Sequence, residues 1–65
     1  MSPAAMPKLV VAIHTLSLDH RAGFIVSLVD GRTTVEDIID MSGQPSAEVL
    51  RVLEELFTQG ALSVS

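Results

Sequence analysis

The 65-residue chain contains no cysteine, which excludes disulfide bonds and thiolate metal sites. It also has no long apolar run, because the longest uncharged stretch near the N-terminus, residues 9–18, is far shorter than the roughly 20 residues that cross a bilayer. The cationic start and cleavage site of a secretory signal are missing as well. We therefore expect no membrane insertion, and a cytoplasmic location is the simplest expectation.

Basic residues are few and unevenly placed. The chain has four Lys or Arg against eight Asp or Glu, for a net charge of −4. Residues 1–32 hold three basic and two acidic side chains, whereas residues 33–65 hold one basic and six acidic ones. Neutralisation of phosphates by Lys and Arg supplies nearly all non-specific affinity for DNA. The acidic second half therefore argues against a nucleic-acid partner.

Catalytic and ligand-binding patterns are missing too. The four glycines are dispersed, so there is no glycine-rich phosphate loop. His14 and His20 have no plausible third metal ligand at a matching spacing, and the paired carboxylates fall on predicted solvent-facing helix surfaces. We expect no enzymatic activity, no metal or other cofactor and no small-molecule substrate.

Apolar residues are abundant: they make up 48% of the chain, and the mean hydropathy is +0.47. A chain of this length forms one domain, near the size at which a single core is only marginally sufficient. So apolar a composition in a small chain is best explained by a partner surface. The expected partners are a second copy, giving a homodimer, and another protein or peptide.

Three apolar-periodic runs predict three helices. The first covers residues 18–30, with Ser17 or Asp19 as N-cap. The second opens with Thr33 and Glu36 at the spacing of a capping box, and the third covers about residues 45–59. Glycines follow the three runs at helix-stop positions: Gly31, Gly43 and Gly60. The predicted core includes Leu28, Ile38, Leu53 and Leu56, and the apolar face of the third helix consists of Val49, Leu50, Val52, Leu53, Leu56 and Phe57.

The two ends of the chain have less helical character. Residues 1–7 contain two prolines and no periodicity, which predicts a flexible arm before a single domain over residues 8–65. Residues 9–13 predict a strand, although a helix opened by Pro7 over residues 8–16 is the alternative. A strand here would pair naturally with residues 62–64. The fold class is thus mainly α, a three-helix helix-turn-helix core with a short N-terminal strand and a C-terminal wing strand.

Residues 18–40 resemble small winged-helix-like modules of bacterial regulatory proteins, in which an apolar helix is followed by a turn of this type. The turn, Asp30-Gly31-Arg32-Thr33-Thr34-Val35, is also similar to that of PqqD-like peptide-recognition domains. This resemblance implies a winged-helix architecture and, for the PqqD-like domains, binding of a peptide as an added strand. The present chain has one predicted N-terminal strand where those domains have a hairpin.

These observations favour a protein-interaction or adaptor module over a DNA-binding regulator. Gly23, a glycine within a predicted helix, indicates close packing against another backbone, either within the chain or across a dimer. The predicted dimer interface comprises Leu9, Val11, Ile13, Gly23, Phe24 and Leu28. A possible surface for a basic partner comprises Glu36, Asp37, Asp40, Glu48, Arg51 and Glu55. In the alternative function, the third helix reads DNA through residues at its start, Gln44 and Arg51 above all.

Overall fold

The fold is an α-helical layer beside a small sheet. The computed structural model describes residues 2–12 and 17–64, which form three helices and two strands, with about half of the chain helical. In chain order these are β1 (Pro7–Leu9), α1 (His20–Ser27), α2 (Val35–Ser42), α3 (Ser46–Thr58) and β2 (Leu62–Val64). The predicted order, three helices with a strand on either side, is confirmed.

The core lies where the three helices and the sheet meet. Ile25, Ile38 and Leu53, one from each helix, are completely buried. Around them lie further buried apolar residues from all five elements and the N-terminal segment: Ala5, Pro7, Val26, Val29, Val35, Val49, Leu56, Ala61 and Leu62. The predicted burial of Ile38, Leu53 and Leu56 is confirmed, while Leu28 is only partly buried against the cluster.

The sheet is antiparallel, with Pro7 opposite Val64 and Leu9 opposite Leu62. The predicted pairing with residues 62–64 is confirmed, but the N-terminal strand lies at residues 7–9 and not at residues 9–13. Val10 N–H donates to Ala61 O at 3.0 Å, which is the last of these backbone bonds between the N-terminal segment and the chain leading into β2. Beyond this bond the side chain of Val10 is exposed.

Residues 2–7 do not form the predicted flexible arm. Ala5 and Pro7 are buried, and the carbonyls of this segment accept hydrogen bonds from the start of α2. Val35 N–H donates to Ala5 O at 2.9 Å, and Glu36 N–H donates to Pro3 O at 3.1 Å. The first N–H groups of a helix have no partner inside it, so the N-terminal segment supplies what α2 lacks. Because backbone carbonyls make this long-range contact, no periodic pattern of apolar side chains in the sequence indicates it.

Helix α1 is shorter than predicted. Its N-cap is Asp19, as expected, with the carboxylate accepting from Ala22 N–H at 2.8 Å. It ends at Ser27 and not near Asp30, because the next two N–H groups bond in the tighter i→i−3 pattern: Leu28 to Ile25 O and Val29 to Val26 O. Gly31 has the left-handed φ of +79° that was expected, but it lies three residues beyond the C-cap Leu28 and belongs to the next turn.

Helices α2 and α3 follow their sequence signals closely. Gly43 caps α2 at φ +67°, and α3 starts at Ser46 behind Pro45. The N-cap of α2 is Thr34, whose hydroxyl accepts from Asp37 N–H, and not Thr33. Thr33 belongs instead to the preceding turn, where its N–H donates to the Asp30 carboxylate. The predicted apolar face of α3 is buried at Val49, Leu53 and Leu56, but Phe57 is 54% exposed.

Leu53→Ala should lower the free energy of unfolding by about 2–5 kcal/mol, because it opens a cavity at a completely buried position. Glu54→Ala, one residue along the same helix at an exposed position, is the matched control and should change stability by less than about 0.5 kcal/mol. Urea unfolding followed by circular dichroism measures both. Equal stability for the two variants would contradict the assigned face of α3.

Deletion of residues 1–6 should lower the free energy of unfolding by roughly 1–3 kcal/mol, because it removes the acceptors of two N–H groups of α2 and the buried Ala5 side chain. Met6→Ser, which changes a side chain that is 36% exposed and keeps the backbone, is the control. Urea unfolding is again the measurement. If the deletion variant were as stable as the full chain, residues 1–6 would contribute nothing to the fold, as the prediction of a flexible arm implies.

Candidate functional site

The outward side of α1 carries the most unusual surface of the described chain. His20, Gly23, Phe24 and Ser27, spaced i, i+3, i+4 and i+7, share one face of the helix, and we call these four residues the α1 outer face. The opposite face is buried through Ile25 and Val26. Phe24 was predicted within the broad apolar surface of this helix and is 47% exposed. The α1 outer face is therefore an apolar side chain flanked by small and polar residues, facing away from the core.

Gly23 has no close packing partner among residues 2–12 and 17–64. A Cβ built at this position meets no other atom of this part of the chain within 4 Å. The expected close packing against another backbone of the same chain, such as the N-terminal strand, is therefore not found there, and contact with a second molecule is the other packing reason expected for this glycine. Gly23, Phe24 and His20 line one shallow depression together with Leu18 and Asp19, which precede the helix.

The other predicted interface residues are dispersed. Leu9 is partly buried against the core on the inner face of the sheet, and Leu28 is half-buried after α1. Val11 is 39% exposed. Ile13 lies outside the described residues. The structure thus brings Gly23 and Phe24 together on one face, and it assigns Leu9 and Leu28 mainly to the core.

Several exposed apolar side chains were not singled out from the sequence as interface candidates. Val10 and Val64 belong to the region of the sheet, and Met41 and Phe57 lie on α2 and α3; all four are more than a third exposed. The sequence held only a weak signal for Phe57, since it directly follows the buried Leu56 on the predicted apolar face of α3. Phe57 offers a useful comparison with Phe24, because both rings are about half exposed on different helices.

The predicted acidic surface is divided between two helices. Glu36, Asp37 and Asp40 are exposed on the side of α2 that faces away from its buried Val35 and Ile38. Arg51 and Glu55 line a groove along the outside of α3. Glu48 is turned toward α1, where its Oε1 lies 3.9 Å from Arg21 Nη1 in a solvent-exposed ion pair. Such pairs contribute little stability.

The turn between α1 and α2 is organised by Asp30. Its Oδ1 accepts from the N–H groups of Arg32 and Thr33, each at 2.8 Å. These two backbone bonds, with a smaller contribution from the Thr33 side chain, hold the pKa of Asp30 below its ordinary value of 3.8. Gly31, at φ +79°, allows the turn to approach β1, where Gly31 N–H donates to Pro7 O at 3.0 Å. These bonds fix the turn against β1.

Gln44, considered above as a base-reading residue, lies in the turn between α2 and α3. Its backbone N–H donates to Ser42 Oγ at 3.2 Å, and its side-chain Oε1 is buried. The side-chain oxygen is therefore not available to accept a hydrogen bond from a base edge. Arg51, the second residue of that hypothesis, is exposed among carboxylates.

Within residues 2–12 and 17–64, no three His, Asp or Glu side chains lie close enough together to hold a metal ion. In the same part of the chain, no helix has the length and apolar character needed to cross a membrane. The chain matches no protein-family model, and comparisons with curated proteins and with solved structures find no similar protein.

Acid should weaken the fold through Asp30. Because its pKa is lower in the folded chain, the unfolded chain binds more protons at acidic pH, so the stabilising contribution of Asp30 is complete above pH 3.8 and is lost as the pH falls through the lowered value. In Asp30→Asn the amide oxygen can still accept hydrogen bonds from both N–H groups, but the side chain no longer titrates, so its contribution to stability no longer depends on pH.

Urea unfolding between about pH 2 and pH 6 tests this expectation, with Glu54→Gln as a control that also removes one exposed negative charge. The stability of Asp30→Asn should fall less steeply on acidification than that of the wild type or of the control. Three parallel pH profiles would show that the Asp30 turn makes no titratable contribution to stability.

Proposed function

We propose that this chain is a non-enzymatic protein-interaction or adaptor module of winged-helix type, which associates with itself and docks onto another protein in a bacterial regulatory or assembly system of the cytoplasm. The observation that carries the proposal is the half-exposed Phe24 beside Gly23 on the α1 outer face. An aromatic ring is the kind of side chain that contributes most binding energy in protein interfaces, and here it stands next to an open depression.

The winged-helix part of the proposal is supported by element order and by the turn between α2 and α3. The short Gly43-Gln44-Pro45 connection joins two helices of unequal length, and a strand follows α3. The N-terminal β1 pairs with that strand and takes the place of a second wing strand. This arrangement leaves the surfaces of α1 and of the sheet available for partners.

The chemistry of a second, different partner follows from charge. The exposed carboxylates of α2 and the groove of α3 would attract a basic surface and repel an acidic one. Binding of this kind weakens as salt rises, because exposed charges are screened. Self-association through the apolar α1 outer face would respond much less to salt.

The alternative, a DNA-binding regulator using α3, has the helix-turn-helix geometry in its favour. The electrostatics oppose it, since six of the seven charged side chains in residues 33–65 are acidic. Gln44 has a buried side-chain oxygen, so this oxygen cannot accept a hydrogen bond from a base. We therefore prefer the interaction module.

The proposal is tested by the mass of the chain in solution and by titration with duplex DNA. Light scattering over about 1–100 µM protein should show the mass rising from one chain to two, because association follows mass action. A fluorescently labelled generic duplex should show no binding at physiological salt. A single-chain mass throughout would contradict self-association, and saturable duplex binding that weakens steeply with salt would favour the DNA-binding regulator.

A further inference from the structure

We propose that the α1 outer face is a two-fold interface in which α1 of one chain packs antiparallel to α1 of a second copy, with each Phe24 ring seated over Gly23 of the other chain. The inference rests on the self-association contained in the proposed function and specifies its surface, direction and register. A second copy is the occupant because the face is complementary to itself.

The spacing of the face is that of a helix-packing stripe. His20, Gly23, Phe24 and Ser27 recur at i, i+3, i+4 and i+7, the pattern by which one helix presents a continuous ridge to another. The inward stripe of α1, which contains the buried Ile25 and Val26, supplies the contacts of this helix with the core. The outward stripe is therefore a second packing surface on the same short helix, and no residue of the described chain covers it.

The protruding side chain of this surface, Phe24, lies next to its open position, Gly23. Phe24 projects outward with 47% of its surface exposed, and the position of the missing Cβ of Gly23 opens into free space. Glycine is among the least favourable residues in a helix interior, and no neighbour among the described residues requires it here. A glycine at this position would allow an aromatic ring of a second molecule to pack directly against the helix backbone.

The antiparallel direction follows from matching knobs with holes. When two copies of α1 run antiparallel about a two-fold axis, Gly23 faces Phe24 of the second copy, and the same register places His20 opposite Ser27 at both ends. Both outer pairs then bring polar side chains together. A parallel arrangement would set the two Phe24 rings against each other and leave both glycine positions unfilled.

Charge also favours this face over the others. None of its four residues is a carboxylate or an ammonium group, and the one carboxylate at its edge, Asp19, accepts a hydrogen bond from Ala22 N–H. The acidic side chains of α2 and α3 repel those of a second copy wherever they approach. Contact through α1 therefore joins two chains of net charge −4 where fewer carboxylates meet than on α2 or α3.

The register is tested by cysteine cross-linking, which this cysteine-free chain allows without background. His20→Cys and Ser27→Cys chains are prepared separately and then oxidised alone and as a mixture. Antiparallel packing places position 20 opposite position 27 of the second chain but about 10 Å along the axis from the second position 20. A disulfide requires Cα atoms less than about 7 Å apart, so the mixed dimer should form preferentially. Preferential self-cross-linking of either chain would overturn the antiparallel register.

The glycine is tested by two readouts that should move in opposite directions. Gly23→Ala should raise the melting temperature of dilute monomer by about 4–8 °C, since alanine favours the helix and its methyl meets no atom. The same methyl occupies the site of the Phe24 ring, so the dimer should dissociate at least about tenfold more readily. A purely structural role for position 23 would change the melting temperature and leave dimerisation unchanged, and that result would overturn the proposal.

Phe24→Ala should weaken the dimer at least about tenfold, whereas Phe57→Ala, which truncates a slightly more exposed ring on α3, should not. Analytical ultracentrifugation over a dilution series measures all of these variants against the wild type. Weakening by Phe57→Ala alone would place the interface on α3 and overturn the assignment to α1, while the proposed function would stand. A wild type that stays monomeric at every concentration would instead contradict the self-association in the proposed function and this interface with it.

Discussion

Three backbone hydrogen bonds from the N-terminal segment hold the two halves of this fold together. The carbonyls of Pro3, Ala5 and Pro7 accept from Glu36, Val35 and Gly31, so the segment lies along the start of α2 and the turn before it. Two of these bonds satisfy N–H groups at the start of α2 that have no partner inside the helix, and the third ties the preceding turn to β1, which pairs with β2. Without them the sheet would have one strand, and the core would lose the cover of Ala5 and Pro7.

That arrangement also determines which surface is left over. The core uses one side of α1, whose inward positions meet α2 and α3. The other side carries a ring and a glycine that no residue of 2–12 or 17–64 covers. A small domain has few ways to bury more apolar surface, and association with another copy is one of them. The uncovered side of α1 is thus the physical basis of the interaction hypothesis.

Much of the helical layer could be predicted from sequence because its signals are local. Asp19 as N-cap, Gly43 as C-cap and Pro45 before α3 each act within a few residues of their position. The N-terminal segment could not be predicted, because its burial depends on carbonyls meeting a helix some thirty residues away. The strand was displaced for the same reason: its position is decided by the pairing with Ala61 and Leu62.

The candidate site was predictable in part. Gly23 and Phe24 attracted notice as a helix glycine and an apolar neighbour, but periodicity could not tell which of the apolar positions of α1 face the core. Apolar residues cover more than half of its circumference, so the pattern left the inward direction undetermined. For the acidic residues the sequence showed the charge, but it did not show that Glu48 turns toward Arg21 and away from the rest.

The central claim is that α1 presents a self-complementary face on an otherwise complete domain. Two-dimensional ¹H–¹⁵N NMR spectra recorded over a dilution series test it most directly, because each backbone amide reports separately. The account predicts concentration-dependent shifts at His20, Gly23, Phe24 and Ser27, with the amides around Met41 and Phe57 unchanged. Shifts centred on α2 or α3, or spectra that do not change with concentration, would contradict it.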